Sequence, residues 1–324
     1  MNSKNLELKD IYMAKNKIYS IARKTPLYKS IDLSKRLSKK IYYKLEFLQD
    51  TGSFKLRGAS NFALNLSDSG LKKGLVTYST GNHGRAVSHV AKEIGIDAKV
   101  CLSKNVPENK KEGIRKSGGD VIVYGNSQDE AKIKADELRS KEERSVVPPF
   151  DNPYIIAGQG TIGVEILNKI PDLDSVLVPL SGGGLISGIA LAVKSINPDC
   201  KVYGVSMDRG AAMYESINAG KEVEVDEVDT LADSLQGGII LDNKYTFKMV
   251  KKYVDEIVLV TEEEISEAIR HIFHKDHFVV EGAAAVGTAA LLSNKINNSG
   301  EKIAVVLTGK NISNEDFMSV INQK

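Results

Sequence analysis

An α/β chain, with parallel sheet covered by helices on both faces, is what this sequence predicts, and three observations carry the prediction. Short β-branched runs alternate with helical stretches along most of the length. The 324 residues, 42% hydrophobic and 27% charged, have an ordinary globular composition and suit about two compact lobes. Loops rich in glycine and hydroxyls follow several strands, and ligands settle beyond the carboxyl ends of strands in such sheets.

The strands are read at 41–45, 75–78, 98–102, 121–124, 176–180, 202–205 and 303–307. Helical patterns lie between them, at Gly84 to Ile94, Ser127 to Lys141, Gly160 to Lys169 and Leu185 to Ile196. The polar stretch Ser140 to Ser145 reads as a solvated helix end, and Pro148-Pro149 marks a boundary between lobes. No internal repeat or low-complexity segment interrupts this order.

Net charge of +2 gives no reason to expect nucleic acid or a membrane surface. The opening residues hold no signal-peptide core, and no apolar run is long enough to span a bilayer. Cys101 and Cys200 are the only cysteines and are expected to be buried, reduced thiols. A cytoplasmic protein is expected.

The chemistry concentrates in four motifs. Ser53-Phe54-Lys55-Leu56-Arg57 sets one lysine between apolar neighbours. Desolvation there lowers a lysine's pKa and frees its amine for Schiff-base chemistry. Ser181-Gly182-Gly183-Gly184 joins a strand to a helix, where backbone N–H groups and the helix N-terminus suit a phosphate. Its spacing fits neither a dinucleotide fingerprint nor a nucleotide P-loop, and a tight turn without ligand is the alternative. Ser79-Thr80-Gly81-Asn82-His83-Gly84 offers successive N–H donors to a carboxylate, against an alternative of helix capping by Ser79 or Thr80. His83 is read as structural, because the lysine already supplies a base. Thr308, in Leu307-Thr308-Gly309-Lys310-Asn311, presents a neutral hydroxyl at the end of the last strand, or simply caps a turn.

Together these motifs resemble the fold-type II pyridoxal-phosphate enzymes (tryptophan synthase β-like), in the serine/threonine dehydratase and serine racemase branch. The resemblance runs from Arg23-Lys24-Thr25-Pro26-Leu27 to Asn311. It implies two parallel-sheet lobes with pyridoxal phosphate in the cleft. We expect a discontinuous cofactor lobe over 1–73 and 151–324 and a smaller lobe over 74–150. By the resemblance Lys55 would bind the cofactor aldehyde, with Phe54 beside the ring. Ser181, Gly182, Gly183, Gly184 and the adjoining Leu185 would seat the phosphate, and Asn82 would bond the phenolic oxygen. Thr308 would face the ring nitrogen and Glu281 would lie near the ring. Ser79, Thr80, Gly81, Asn82 and His83 would hold the substrate carboxylate, and Arg85 faces either an acidic or polar substrate side chain or solvent.

The resemblance implies a homodimeric lyase that deaminates a β-hydroxy amino acid such as threonine or serine. Several stretches, including Ser79 to Ala86 and Gly204 to Met213, resemble dehydratases of hydroxyectoine utilisation more closely. Racemases of serine or aspartate on this scaffold place a serine where Thr80 stands, and Phe150 fits the dehydratases, so elimination is favoured over racemisation. Thr80 is nonetheless kept as the candidate acid/base of the opposite face. The divalent-cation carboxylates of many relatives are replaced by Ser206 and Ala212, so that metal site is not expected. His271 and His274 share a helical face without a third ligand, and a solvated face is expected there rather than zinc. The chain stops at Lys324, where biosynthetic threonine deaminases continue into a regulatory domain, so isoleucine feedback is not expected and a degradative role is.

Overall fold

A computed structural model describes residues 6–79 and 81–323, without the side chains of Gln128 and Asp129; the reading of Thr80 therefore lies outside the described residues. The described residues form the strands β1 (Leu27–Lys29), β2 (Lys40–Leu45), β3 (Leu75–Thr77), β4 (Ala98–Leu102), β5 (Asp120–Val123), β6 (Ser145–Val146), β7 (Ser175–Pro179), β8 (Lys201–Met207), β9 (Glu256–Val260) and β10 (Lys302–Leu307). They build a six-stranded sheet ordered β1-β2-β10-β7-β8-β9 and a four-stranded sheet ordered β5-β4-β3-β6. Every pairing is parallel except β1 with β2.

The larger sheet is buried on both faces, which is why its strands read as continuous apolar runs. Along β10, Ile303, Val305 and Leu307 enter one core with the alanine-rich helix Gly282–Leu292, while Ala304 and Val306 enter the other with the helix Gly184–Ile196. That two-residue alternation is the pleat of the strand.

The sequence reading missed β1, β6 and β9. The first two are too short, at 3 and 2 residues, to give a periodic signal, and β9 lies on a sheet edge. Ser145, expected in a solvated helix end, opens β6 instead. One helix starts earlier than expected, at Pro153 rather than Gly160. Its start signal is Asn152-Pro153: the Asn152 side chain accepts from Tyr154 N–H, and proline takes the first helical position. Gly158, in the first turns of that helix, sits where two backbones meet, since a Cβ there would lie 2.6 Å from the carbonyl oxygen of Arg57.

The expected solvated face of His271 and His274 needs correction. His274 is exposed, but His271 is buried with its Nε2 3.9 Å from Asp32. His271 ends the helix Glu262–His271 on its buried side, with Ala268 and Ile269, while His274 lies in the π-helical turn Ile272–Asp276, whose wider winding breaks the α-helical spacing between them. Cys101 and Cys200 are buried free thiols, pushed up by burial to about 11 and about 12.

Candidate active site

β2, β10 and β7 are neighbours, and their carboxyl ends open on one side of the sheet. The chain leaving β2 reaches Ser53, which bridges to Gly309 just beyond β10. Phe54 N–H donates to the Thr308 carbonyl at 3.0 Å, and Lys310 N–H to the Gly52 carbonyl at 3.0 Å. The lysine motif is thus stitched to the last strand before the helix Lys55–Ala63 begins. Leu56 and Arg57, both fully buried, anchor that helix.

Lys55 faces a cavity of about 810 Å³. Its Nζ donates to the Pro149 carbonyl at 3.0 Å and lies 5.3 Å from the centre of the Phe54 ring. Burial pulls the ammonium down to about 8, against a smaller opposing pull from the Glu281 carboxylate. A substantial neutral fraction therefore exists near neutral pH, as desolvation of a lysine predicts. Labelling of Lys55 in the cofactor-free protein by an amine-reactive reagent should rise about tenfold per pH unit below 8 and level off above it. Peptide mass spectrometry reads this directly; a rate still climbing at pH 10, like that of surface lysines, would contradict the lowered pKa.

Every described residue of the expected site lines this same cavity. The glycine loop follows β7, and Gly183 adopts φ +85°, open to glycine at little cost. It opens the helix Gly184–Ile196 toward the cavity with no side-chain cap. A Cβ on Gly182 would lie 2.6 Å from the Phe150 ring, so the loop is bare backbone beneath that ring. Uncapped N–H groups at the start of a helix form a seat for a phosphate.

The Ser79–His83 loop leads into the helix Asn82–Glu93. Asn82 Nδ2 donates to both carboxylate oxygens of Glu281, at 2.8 and 3.1 Å. His83 is buried, and burial, followed by the charge of Lys55, lowers it to about 3. Its Nε2 lies 3.0 Å from the Val147 carbonyl, so the neutral ring donates there and ties the loop to the segment before Pro149. That is a structural role for His83. Thr308 is buried beside the cavity, and burial raises the Glu281 carboxyl.

Asn311 received no role from the sequence, although it closes the last motif. It is the hub of the cavity floor. Its backbone N–H donates to Glu281 at 3.0 Å, and its side-chain amide donates to the Thr51 carbonyl at 2.9 Å and to Asn82 Oδ1. The signal available was an amide directly after a strand-end hydroxyl motif, which alone names no partner. The Pro149 carbonyl was equally invisible: proline marked a boundary, not an acceptor for Lys55. Among the described residues, no group of three or more histidine, cysteine or acidic residues is placed to hold a metal ion.

Residues 18–309 match the family model of the pyridoxal-phosphate dependent enzymes. The chain is 48% identical over 318 residues to a putative threonine dehydratase of Sinorhizobium fredii, covering 98% of this chain and 96% of that one. It is 42% identical to the L-threonine ammonia-lyase of Thermotoga maritima, covering 98% of this chain and 79% of that one. The structure of maize serine racemase superimposes with a TM-score of 0.92 at 31% identity, covering 98% and 97% of the two chains. A buried amine and a bare helix N-terminus in one cavity fit a phosphorylated aldehyde, and the chain belongs to the pyridoxal-phosphate dependent enzymes.

Proposed function

We propose that this chain is a carbon–nitrogen lyase that removes water from a β-hydroxy amino acid, such as L-threonine or L-serine, and releases a 2-oxo acid and ammonia. The observation that carries the reading is the shared cavity: the lowered amine of Lys55, the glycine loop, and Ser79 with Gly81 to His83 all line it. The threonine dehydratase and ammonia-lyase names of the relatives point the same way.

Pyridoxal phosphate, when bound, supplies an aldehyde for an amine and a conjugated ring that accepts charge from the substrate α-carbon. Lys55 would hold the cofactor through that aldehyde. The same amine, neutral in part because of its burial, would serve as the base for the substrate α-proton. Backbone N–H groups of the Ser79–His83 loop receive the substrate carboxylate. Ser181 to Leu185 seat the phosphate by the same means. An amide NH₂ has two hydrogens, so Asn82 would keep one on Glu281 and turn the other from its second Glu281 contact to the cofactor's phenolic oxygen. Thr308 offers a hydroxyl and no negative charge to the ring nitrogen. Such a partner would not hold the nitrogen protonated. Phe54, whose ring centre lies 5.3 Å from Lys55 Nζ, would pack beside the cofactor.

A second reading, racemisation of serine or aspartate, is supported by the closeness in fold to maize serine racemase. The decisive experiment is a panel of β-hydroxy amino acids assayed for 2-oxo acid and ammonia, with chiral analysis of recovered serine. Oxo acid from threonine or serine supports the lyase. Racemised serine without oxo acid supports the racemase, and neither product removes both.

The finer parts of the reading have narrower support. The lobes are taken as 1–73 with 151–324 and 74–150, because the four-stranded sheet draws all its strands from residues 75–146. Two free cysteines suit a reducing, cytoplasmic setting. A homodimer follows from the resemblance, and light scattering tests it. A hydroxyectoine-derived substrate rests on the motif stretches alone and belongs in the same panel. Among the described residues, no helix is long and apolar enough to cross a membrane.

A further inference from the structure

Arg85 stands one helical turn beyond Asn82 and lines the same cavity, half-buried. Its NH1 donates to Asn311 Oδ1 at 2.8 Å, and among the described residues it forms no ion pair. A guanidinium carries five N–H donors in a planar fork suited to a carboxylate, so most of its donors are unspent. The nearby acids are engaged elsewhere. Glu281 accepts from Asn82 and Asn311, and Asp233 is paired with Lys110 at 3.0 Å. Glu224 and Glu227 are exposed at the rim. Gly113 lies flat against the guanidinium, where a Cβ would come within 2.4 Å of Cζ. Arg85 thus stands at the wall of the substrate cavity with no carboxylate in ion-pair contact among the described residues; burial lowers its pKa, and the charge of Glu281 opposes that only in part.

We propose that Arg85 selects a substrate whose side chain ends in a carboxylate, a hydroxylated dicarboxylic amino acid of the 3-hydroxyaspartate kind. The inference rests on the lyase reading and names its substrate class. Arg85 NH1 and Asn82 Oδ1 both bond the Asn311 side-chain amide, so the guanidinium stands beside the start of the loop that would take the α-carboxylate. One carboxylate then docks on the Ser79–His83 loop and the other on Arg85. The balance is that of any such deamination. The α C–H bond and the β C–O bond break and water leaves. Water then returns on hydrolysis, so 3-hydroxyaspartate yields oxaloacetate and ammonia with no net oxidant.

The test uses the cofactor-loaded enzyme with Arg85→Gln and Arg85→Lys. The ratio of kcat/KM for 3-hydroxyaspartate to that for L-threonine should fall by roughly 30-fold in the glutamine variant, the scale of one charge-assisted hydrogen bond, with part of the loss restored by lysine. A ratio unmoved within about threefold overturns the proposal and leaves Arg85 as a brace for Asn311. Succinate binding by calorimetry gives a readout without turnover. Its Kd should rise by about tenfold or more in Arg85→Gln, and an unchanged Kd overturns the assignment. If the wild-type enzyme releases ammonia from no amino acid, the lyase reading fails and the succinate measurement still decides Arg85. If it deaminates threonine with the ratio unmoved, only the Arg85 assignment falls.

Discussion

Lys55→Ala is expected to lower turnover by roughly 10³-fold or more, since one side chain holds the cofactor and moves the substrate proton. It should also remove the absorbance near the visible edge that marks a lysine-bound cofactor aldehyde. Borohydride reduction of the wild type followed by peptide mapping should place the cofactor on the peptide containing Ser53 to Arg57. The fold should survive the change. Lys55 spends one hydrogen bond, on the Pro149 carbonyl, and its charge is disfavoured by burial rather than paired. Circular dichroism and the unfolding midpoint of the cofactor-free variant should therefore match the wild type. Undiminished turnover, or a reduced label on another lysine, would overturn the assignment of the amine.

Arg57→Met should act on stability instead, at about 3–5 kcal/mol, the cost of leaving buried charge unpaired. Arg57 is fully buried two residues beyond Lys55. Its guanidinium donates to Glu46 at 2.7 and 2.9 Å, to Glu165 at 2.6 and 3.0 Å and to Thr161 at 3.0 Å. Lys44 donates to Glu165 at 2.5 Å and to the Thr25 carbonyl at 2.6 Å, and Tyr19 adds a hydroxyl to Glu165 at 2.6 Å. Two cations face two anions, so the cluster is neutral only while complete. Burial pushes the Glu46 carboxyl up, but Arg57 and Lys44 outweigh it and hold it near 2. Since that folded value lies below the ordinary 4.5, the contribution of Glu46 is fully present above pH 4.5 and fades as pH falls toward 2. Urea unfolding of the cofactor-free protein measures both effects. A loss under about 1 kcal/mol for Arg57→Met would mean that the cluster relaxes or hydrates.

The cluster also shows how far the sequence could be read. Arg57 belonged to the first motif noticed, yet Glu46 and Glu165 are 11 and 108 residues from it along the chain. No local pattern announces such a pairing, because charged residues are exposed by default. His271 makes the same point in reverse: helical spacing placed it with His274 on a solvated face, whereas it ends the buried face of its α-helix and His274 lies in the π-helical turn beyond. β1 and β6 carry too few residues for any period to show. Strands of the larger sheet were legible for the opposite reason, since burial on both faces leaves nearly unbroken apolar runs.

What the chain declared by itself was local chemistry: an amine among apolar neighbours at Lys55, bare backbone at Gly182 to Gly184, a hydroxyl at Thr308, and alternating strand and helix. Those features depend on adjacent residues and on the two short periods of secondary structure. What only the tertiary structure decided was which of them meet. The parallel order β2-β10-β7 brings three strand ends together, Asn311 joins Asn82 to Glu281, and Pro149 receives the lysine. Desolvation and charge pairing are properties of that assembled surrounding, so the lowered amine of Lys55, the neutral ring of His83 and the unpaired Arg85 exist only once the chain has closed around them.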